Sequence, residues 1–154
     1  MASLEQRFWA KVDKTGGCWI WTASKDGCGY GMMRVSKTRV MRAHRVAYEW
    51  LSGPIPEGML LDHVCHNPAC VRPDHLRPVT VKANAENRIS ANLGNRSGIR
   101  GVRWNVRQSK WHARVGHNGH VIHVGFFDNI ADAAAAVKAK RCELHTHNDM
   151  DRTA

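Results

Sequence analysis

The sequence lacks the long apolar runs that membrane insertion or secretion requires. No run of about eighteen or more apolar residues occurs, so no membrane-spanning helix is indicated. The amino terminus also lacks a charged segment followed by an apolar one, which is the pattern of a secretory signal. We therefore expect a cytoplasmic protein with no membrane partner.

Acidic side chains are scarce compared with basic ones. The 154 residues include 13 Asp and Glu against 23 Lys and Arg, a formal net charge of +10 at pH 7. Residues 94–127 contain no acidic residue at all. This excess favours a polyanionic partner and predicts binding that weakens as salt concentration rises.

Cysteine is also infrequent, and its placement indicates metal binding rather than disulfides. The five cysteines of an intracellular protein are expected to be reduced thiols or metal ligands. Cys65, Cys70 and His75 follow one another at five-residue steps, in a loop that contains Pro68 and Pro73. Their sulfur and nitrogen atoms could converge on one tetrahedral zinc ion.

The segment around this loop predicts the order strand, loop, strand, helix. An apolar run at residues 59–63 ends in Asp62 and His63, which is typical of a strand that presents a histidine at its end. A second strand is expected at residues 76–79, and a helix at residues 81–91.

These residues resemble the HNH, or His-metal-finger, endonucleases, and especially the zinc-bearing His-Cys box homing endonucleases. The matching string is His63-x-Cys65-x4-Cys70-x-x-Pro73-x-His75-Leu76, followed by Asn84. The resemblance implies that His63 is the general base and that a catalytic Mg²⁺ or Mn²⁺ is held by Asn84, together with Asp62. It also implies a structural zinc ion held by Cys65, Cys70 and His75.

Three alternatives stay open at this point. Cys18 is the candidate for the fourth zinc ligand, and Cys28 competes for that position. In another branch of the superfamily an aspartate and a later histidine bind the catalytic metal, which would make Asp62 and His75 magnesium ligands. Many relatives carry asparagine at the position of Arg72, and this departure keeps open the alternative of a catalytically inactive, zinc-containing DNA-binding regulator.

The amino-terminal part predicts a small mixed structure that could lie along DNA. A capping box opens a helix at residues 3–12, strands are expected at 18–22, 30–35 and 38–42, and a helix follows at 43–51. Four basic residues on the second and third strands have no acidic residue between them and are expected to contact phosphate. They are Arg34, Lys37, Arg39 and Arg42.

The carboxy-terminal part resembles the plant ethylene-response-factor DNA-binding domain. The matching residues are Gly101-Val102-Arg103-Trp104, Lys110-Trp111-x-Ala113-x-Val115, Val124-Gly125-x-Phe127-Asp128 and Ala131-x-x-Ala134-Ala135. Independently of the resemblance, β-rich runs at residues 99–106, 111–116 and 121–127 precede an alanine-rich helical pattern at 131–144. The resemblance implies three antiparallel strands that enter the major groove, with a helix packed behind them.

Basic and aromatic residues in and before this part are candidates for DNA contact. Arginine can bind guanine edges or phosphate, and tryptophan can pack on sugar or methyl groups or can belong to the core. The candidates are Arg88, Arg100, Arg103, Trp104, Arg107, Trp111 and Arg114. Two other polar residues, His66 and Glu86, are expected to be solvent-exposed, and His44 is expected at the surface or behind the site.

The sequence therefore predicts an α+β protein. A zinc-stabilised ββα-metal nuclease domain is expected at residues 1–91, a linker at 92–98, a DNA-binding domain at 99–145 and a disordered tail at 146–154. The expected function is site-specific cleavage of double-stranded DNA by a homing endonuclease of a phage or mobile element. An RNA-binding role is a weaker alternative, and both monomer and homodimer stay open.

Overall fold

A computed structural model describes residues 2–88, 91 and 94–153 of the chain. The chain forms two compact units, Met1–Thr80 and Val81–Ala154, each with its own hydrophobic core. A domain boundary was predicted after residue 91, and the two compact units divide after Thr80. Asn84 therefore belongs to the second unit. Among the described residues, no helix is long and apolar enough to cross a lipid bilayer.

Short helices and antiparallel strand pairs make up the described part of the first unit. Strands β1 and β2, β3 and β4, and β5 and β6 pair as three separate two-stranded sheets. In chain order the elements are α1 (Leu4–Trp9), β1 (Val12–Asp13), β2 (Ile20–Trp21), β3 (Met32–Arg34), β4 (Val40–Arg42), α2 (Ala43–Ser52), β5 (Leu60–His63), a 3₁₀ turn (Pro73–His75) and β6 (Leu76–Val79).

The first helix is shorter than its sequence pattern predicts. Ser3 and Gln6 form the expected capping box, but α1 ends at Trp9 instead of continuing to residue 12. Val12 instead pairs with Trp21 across β1 and β2, because both side chains can then pack against the core. Tertiary packing thus ends the helix one turn early.

Large buried side chains join the elements of the first unit. Phe8, Trp21 and Met33 are fully buried and pack with the inner face of α2. Gly31 lies directly against Trp21, since a Cβ atom at this position would approach the indole ring to 2.6 Å. This core fixes β2, β3 and α2 relative to one another.

The second unit is a three-stranded sheet with helices. Its elements are α3 (Val81–Glu86), β7 (Val102–Asn105), β8 (Lys110–His117), β9 (His120–Phe127), α4 (Ile130–Leu144) and α5 (Asp149–Thr153). The strands are antiparallel in the order β7-β8-β9, and α4 packs on the sheet through Ala133 and Val137. The Asn118-Gly119 turn has positive φ at both residues, as the Asn-Gly hairpin signal predicts.

The ends of this unit differ from the sequence expectations. Helix α3 ends at Glu86 and not at residue 91, although residues 89, 90, 92 and 93 lie outside the described part. The tail at 146–154, expected to be disordered, contains α5. Asp151 accepts a hydrogen bond from Arg141 at 3.0 Å, and Arg152 donates to the backbone carbonyl of His145 at 2.7 Å. These contacts hold the tail against α4.

Candidate active site and metal centre

Three cysteines and one histidine of the first unit form a compact cluster. The ligand atoms of Cys18, Cys65, Cys70 and His75 all lie within 4.8 Å of one another. The Sγ atoms of Cys18 and Cys70 lie 3.5 and 3.6 Å from Nδ1 of His75. Cys28 is exposed and does not belong to this group. The cluster could bind a metal ion, and it contains Cys18 rather than its competitor.

Backbone pairing brings Cys18 to the loop that carries the other ligands. Trp21 donates its backbone N–H to Ala69, and Val71 donates to Trp19, both at 2.8 Å. Arg72 adds a side-chain contact, because its Nη1 donates to the carbonyl of Gly17 at 2.8 Å. Arg72 therefore holds the backbone next to Cys18.

Burial disfavours the charged form of the clustered thiols. Burial raises the pKa of Cys65 to about 12, and it also raises the pKa of Cys70 above its ordinary value. Without a metal ion these two thiols would stay protonated at neutral pH. Because metals bind the thiolate form, metal binding here has to release protons.

His63 lies at the end of β5 and is 6% exposed. Its Nε2 atom lies 3.0 Å from the backbone carbonyl oxygen of Cys70. A carbonyl can only accept, so Nε2 carries the proton and Nδ1 keeps a lone pair. Burial lowers the pKa of His63 below its ordinary value, although the Cys70 carbonyl and Asp62 act in the opposite direction. The ring is therefore neutral at pH 7 and suited to act as a base.

Two aromatic neighbours of His63 were not predicted as site residues. The His44 ring lies 4.8 Å from the His63 ring, and Tyr30 lies 5.4 Å from His44 and 5.9 Å from His63. His44 is 3% exposed, and burial, with the nearby His63 and Arg42, lowers its pKa to about 3. The spacing of His44 from Ala47, three residues later on α2, is the signal that could have indicated its burial.

The predicted magnesium ligands are placed by different parts of the chain. Asp62 and His63 are adjacent in β5, so their side chains point to opposite faces of the strand. The Oδ2 atom of Asp62 accepts from Nε and Nη2 of Arg77 at 3.2 and 3.0 Å. Asn84 lies on α3, in the second unit. Metal binding by Asp62 and Asn84 stays a prediction, and His75 lies among the sulfur atoms.

The predicted basic residues of the first unit are all exposed on the β3-β4 hairpin and its turn: Arg34, Lys37, Arg39 and Arg42. Arg42 also packs over the Tyr30 ring at 4.3 Å and pairs with Asp26 at 3.5 Å. Tyr30 in turn lies next to His63. Arg42 is thus linked to His63 through the Tyr30 ring.

The candidates on the three-stranded sheet lie on two faces. Strand alternation places Arg103 and Arg114 on the face opposite α4. Trp104 and Trp111 lie on the other face, with their ring centroids 5.0 Å apart. Trp111 packs against the core, while Trp104 is 45% exposed. Arg107 and Arg88, outside these strands, are exposed.

The side chains of Arg100 and Glu86 form hydrogen bonds within the protein that were not predicted from the sequence. Arg100 was a candidate for DNA contact, but its guanidinium donates to the carbonyls of Ala85, Glu86 and Arg88 at the end of α3. Glu86 was expected to be exposed and is 5% exposed. His66, also expected to be solvated, is half-buried. The Arg100 side chain thus forms its hydrogen bonds with the backbone at the end of α3.

Comparison with known proteins identifies the class of the first site. Residues 41–86, which include His63, Cys65, Cys70, His75 and Asn84, match the HNH endonuclease family. No solved structure matches the chain. The chain thus contains an HNH endonuclease domain, which suggests a nuclease.

Three relatives are proteins of Escherichia phage T7. Protein 7.7 is 36% identical over 73 residues, or 47% of this chain and 55% of protein 7.7. Protein 2.8 is 34% identical over 89 residues, or 56% and 60% of the two chains. Protein 3.8 is 31% identical over 104 residues, or 68% of this chain and 84% of protein 3.8. This chain belongs to the same family as protein 3.8, while it spans little more than half of proteins 7.7 and 2.8.

Proposed function

We propose that the protein is a metal-dependent DNA endonuclease in which His63 is the general base. The observation that carries this proposal is the environment of His63, a buried neutral imidazole whose Nε2–H is held by the Cys70 carbonyl. Its Nδ1 lone pair is left to accept a proton. The residue also lies within the match to the HNH endonuclease family.

The reaction is hydrolysis of a phosphodiester bond. Nδ1 of His63 removes a proton from a water molecule, and the water oxygen attacks phosphorus as the bond to the leaving oxygen breaks. The leaving oxygen takes a proton from solvent. The carbonyl of Cys70 stabilises the imidazolium that forms, because a hydrogen bond from a charged donor is stronger than one from a neutral donor.

The proposal includes two metal ions, a catalytic one and a structural one, with separate ligands. The resemblance to the HNH endonucleases makes Asn84 and Asp62 the proposed ligands of Mg²⁺ or Mn²⁺, ions that prefer oxygen ligands. The Asp62 carboxylate already accepts a hydrogen bond from Arg77 at 3.0 Å. Such an ion, when bound, stabilises charge on the phosphate and the leaving oxygen. The three sulfurs and one nitrogen of Cys18, Cys65, Cys70 and His75 fit structural zinc. Zinc would hold the loop from which Cys70 orients His63.

Double-stranded DNA is the substrate that the basic surfaces support. Arg34, Lys37, Arg39 and Arg42 would contact phosphates from the first unit. The second unit would choose the site, in the manner of an ethylene-response-factor-like domain. Its three-stranded sheet has α4 on one face and Arg103 and Arg114 on the other. This arrangement supports cleavage of the homing type, with two modules on one DNA molecule.

The alternative function is a DNA-binding regulator without turnover. Its support in the sequence is Arg72, at a position where many relatives carry asparagine. Arg72 nevertheless contacts the carbonyl of Gly17 and the carboxylate of Asp74, so it fixes the loop by other bonds. This contact favours the endonuclease.

Cleavage and binding assays with the full chain separate the two functions. Duplex DNA that carries the surrounding genomic locus is incubated with protein and Mg²⁺, and parallel reactions contain EDTA. The proposal expects strand cleavage with Mg²⁺ and none with EDTA. Binding without cleavage at every Mg²⁺ or Mn²⁺ concentration would favour the regulator. An excess of RNA duplex that displaces the DNA would favour an RNA partner.

A further inference from the structure

Two buried side chains of the second unit, Glu86 and His145, meet the half-buried His117, and each of the three has a polar atom without a hydrogen-bond partner in the described part of the chain. Glu86, His117 and His145 each offer one ligand atom, and these atoms all lie within 4.8 Å of one another. Oε1 of Glu86 and the Nδ1 atoms of His117 and His145 are the atoms that have no hydrogen-bond partner among the described residues. Glu86 ends α3, His117 ends β8, and His145, which is 2% exposed, follows α4. Side chains far apart in sequence thus meet at one point.

The other polar atom of each side chain is already occupied. Oε2 of Glu86 accepts from the backbone N–H and the hydroxyl of Thr146, at 3.0 and 3.2 Å. Nε2 of His145 donates to the carbonyl of Gly116 at 3.0 Å, which leaves the Nδ1 lone pair free. Nε2 of His117 lies 2.9 Å from the Asn118 side-chain amide. Metal ligands commonly have such outer partners, which orient the ligand side chains.

Glu86, His117 and His145 do not form hydrogen bonds with one another through their unpartnered atoms. Oε1 of Glu86 and Nδ1 of His117 are 3.9 Å apart, which is too long for a hydrogen bond. Lys82 forms an ion pair with Glu86, and its Nζ lies 3.6 Å from Oε1. Lys82 is exposed, so its side chain can move into solvent. Buried polar atoms without partners are costly, so the arrangement calls for another group at this point.

We propose that Glu86, His117 and His145 bind a divalent transition-metal ion of the zinc type. One carboxylate and two imidazoles are the protein ligands of many zinc sites in which water takes the fourth position. Bonds of about 2.0–2.1 Å would place tetrahedral ligand atoms about 3.3 Å apart. The 3.9 Å separation between Glu86 and His117 can close to this value by small side-chain rotations.

The protonation state of Glu86 agrees with this donor set. Burial opposes ionisation of the carboxyl, but hydrogen bonds from Thr146 hold the pKa of Glu86 below its ordinary value. Glu86 is therefore charged at neutral pH. For His117 to coordinate through Nδ1, its Nε2 has to carry the proton, and a half-turn of the Asn118 amide would offer an oxygen to accept it.

The ion would fasten α3 to the sheet and to the chain after α4. Residues 84 and 86 lie about 200° apart around a helix, so Asn84 is on the face of α3 opposite Glu86. The site therefore uses a different face of α3 from Asn84, and it shares no residue with the cysteine cluster. Its expected effect is to stabilise the second unit.

Zinc binding by the full chain tests the site. Metal-free wild type, Glu86→Gln and the matched control Glu143→Gln are equilibrated with buffered Zn²⁺, and bound zinc is counted by mass spectrometry. Glu143 is an exposed carboxylate on α4 that pairs with Lys140. Wild type and Glu143→Gln should bind one zinc ion more per chain than Glu86→Gln. The affinity lost at this site should exceed the roughly 100-fold that loss of an outer partner can cost.

Glu86→Gln is expected to fold, because its amide oxygen can still accept from Thr146. Equal zinc content in the wild type and Glu86→Gln would overturn the site. If the variant does not fold, ring ¹⁵N resonances of the wild type decide. Zinc should move the Nδ1 signals of both His117 and His145, and unchanged signals would overturn the proposal. Neither readout depends on DNA cleavage.

Discussion

The Nε2–H of His63 donates to the backbone carbonyl of Cys70 across 3.0 Å. Cys70 therefore contributes twice, since its sulfur belongs to the metal-binding cluster and its carbonyl fixes the histidine ring. Loss of metal from the cluster should therefore alter the orientation of the His63 ring through Cys70. This contact connects the proposed zinc site to the proposed chemistry.

Cys18 should matter for metal binding, and Cys28 should not. Replacement of Cys18 by Ser removes one of the four clustered ligand atoms, so we expect weaker zinc binding and a lower melting temperature of the metal-loaded protein. Cys28→Ser is the matched control, because that thiol is exposed and lies outside the cluster. Zinc affinity measured by competition with a chelator checks the difference. Equal affinities of the two variants would remove Cys18 from the site.

Acid should destabilise the first unit through His44. The pKa of His44 is about 3 in the folded protein and 6.5 in the unfolded chain. On acidification the unfolded chain therefore binds a proton at His44 before the folded protein does. Stability is therefore complete above about pH 6.5 and falls between 6.5 and 3, by up to ~1.4 kcal/mol per pH unit. His63, Arg42 and Arg45 add repulsion and Asp26 opposes it.

Urea unfolding at several pH values between about 7 and 5 measures this slope. We expect His44→Phe to flatten it, since the variant removes the titrating group and leaves no unpaired buried nitrogen. His120→Phe replaces an exposed histidine and should keep the slope of the wild type. An unchanged slope in His44→Phe would contradict this origin of the acid sensitivity.

Arg100 and Arg103 should differ in what their loss affects. Arg100→Ala removes the donor to the carbonyls at the end of α3, and charged hydrogen bonds of this kind contribute roughly 1.5–3 kcal/mol each. We expect lower stability of the second unit. Arg103→Ala removes an exposed side chain and should change stability by less than ~0.5 kcal/mol.

For DNA affinity we expect the opposite: the loss of Arg103 should have a larger effect than the loss of Arg100. If Arg103 contacts a phosphate, its loss should weaken binding and reduce the slope of log affinity against log salt by about 0.9. Fluorescence anisotropy at several salt concentrations gives that slope, and denaturant unfolding gives the stabilities. A stable Arg100→Ala variant with weakened DNA binding would show that the sequence-based assignment of Arg100 was right.

Gly101 should be sensitive to substitution by alanine. Its φ is +87°, and a Cβ atom would lie 2.6 Å from the carbonyl oxygen of Arg114 and 2.8 Å from Cγ1 of Val137. Strain and overlap together should cost more than ~2 kcal/mol. Gly94→Ala is the control, because nothing lies within 4 Å of a Cβ there. Thermal unfolding of the two variants compares them, and similar melting temperatures would contradict the packing described for Gly101.

Local patterns predicted the elements that carry their own signals. The capping box at Ser3 and Gln6, the Asn118-Gly119 turn and the three-stranded order with a following helix all agree with the structure. Cys18 was also predicted as the fourth zinc ligand, because the three loop ligands leave one tetrahedral position open. Signals between residues close in sequence were sufficient to predict the capping box and the turn.

Features that depend on distant contacts were missed. Glu86 is buried because Thr146, sixty positions later, donates to it, and no local pattern signals that contact. The tail appeared disordered because the ion pair of Arg141 with Asp151 has no periodic pattern in the sequence. His44 was set aside for a similar reason, since its partners Tyr30 and His63 come from other elements.

The most direct test of the central claim is the single-turnover rate of Mg²⁺-dependent DNA cleavage by the wild type and His63→Ala. His120→Ala serves as a histidine control in the second unit, and zinc content, folding and DNA affinity are matched across the three proteins. A general base contributes roughly 10²–10⁴-fold, so His63→Ala should slow cleavage by about that factor while His120→Ala cuts like the wild type. Cleavage by His63→Ala at the rate of the wild type would contradict the role of His63.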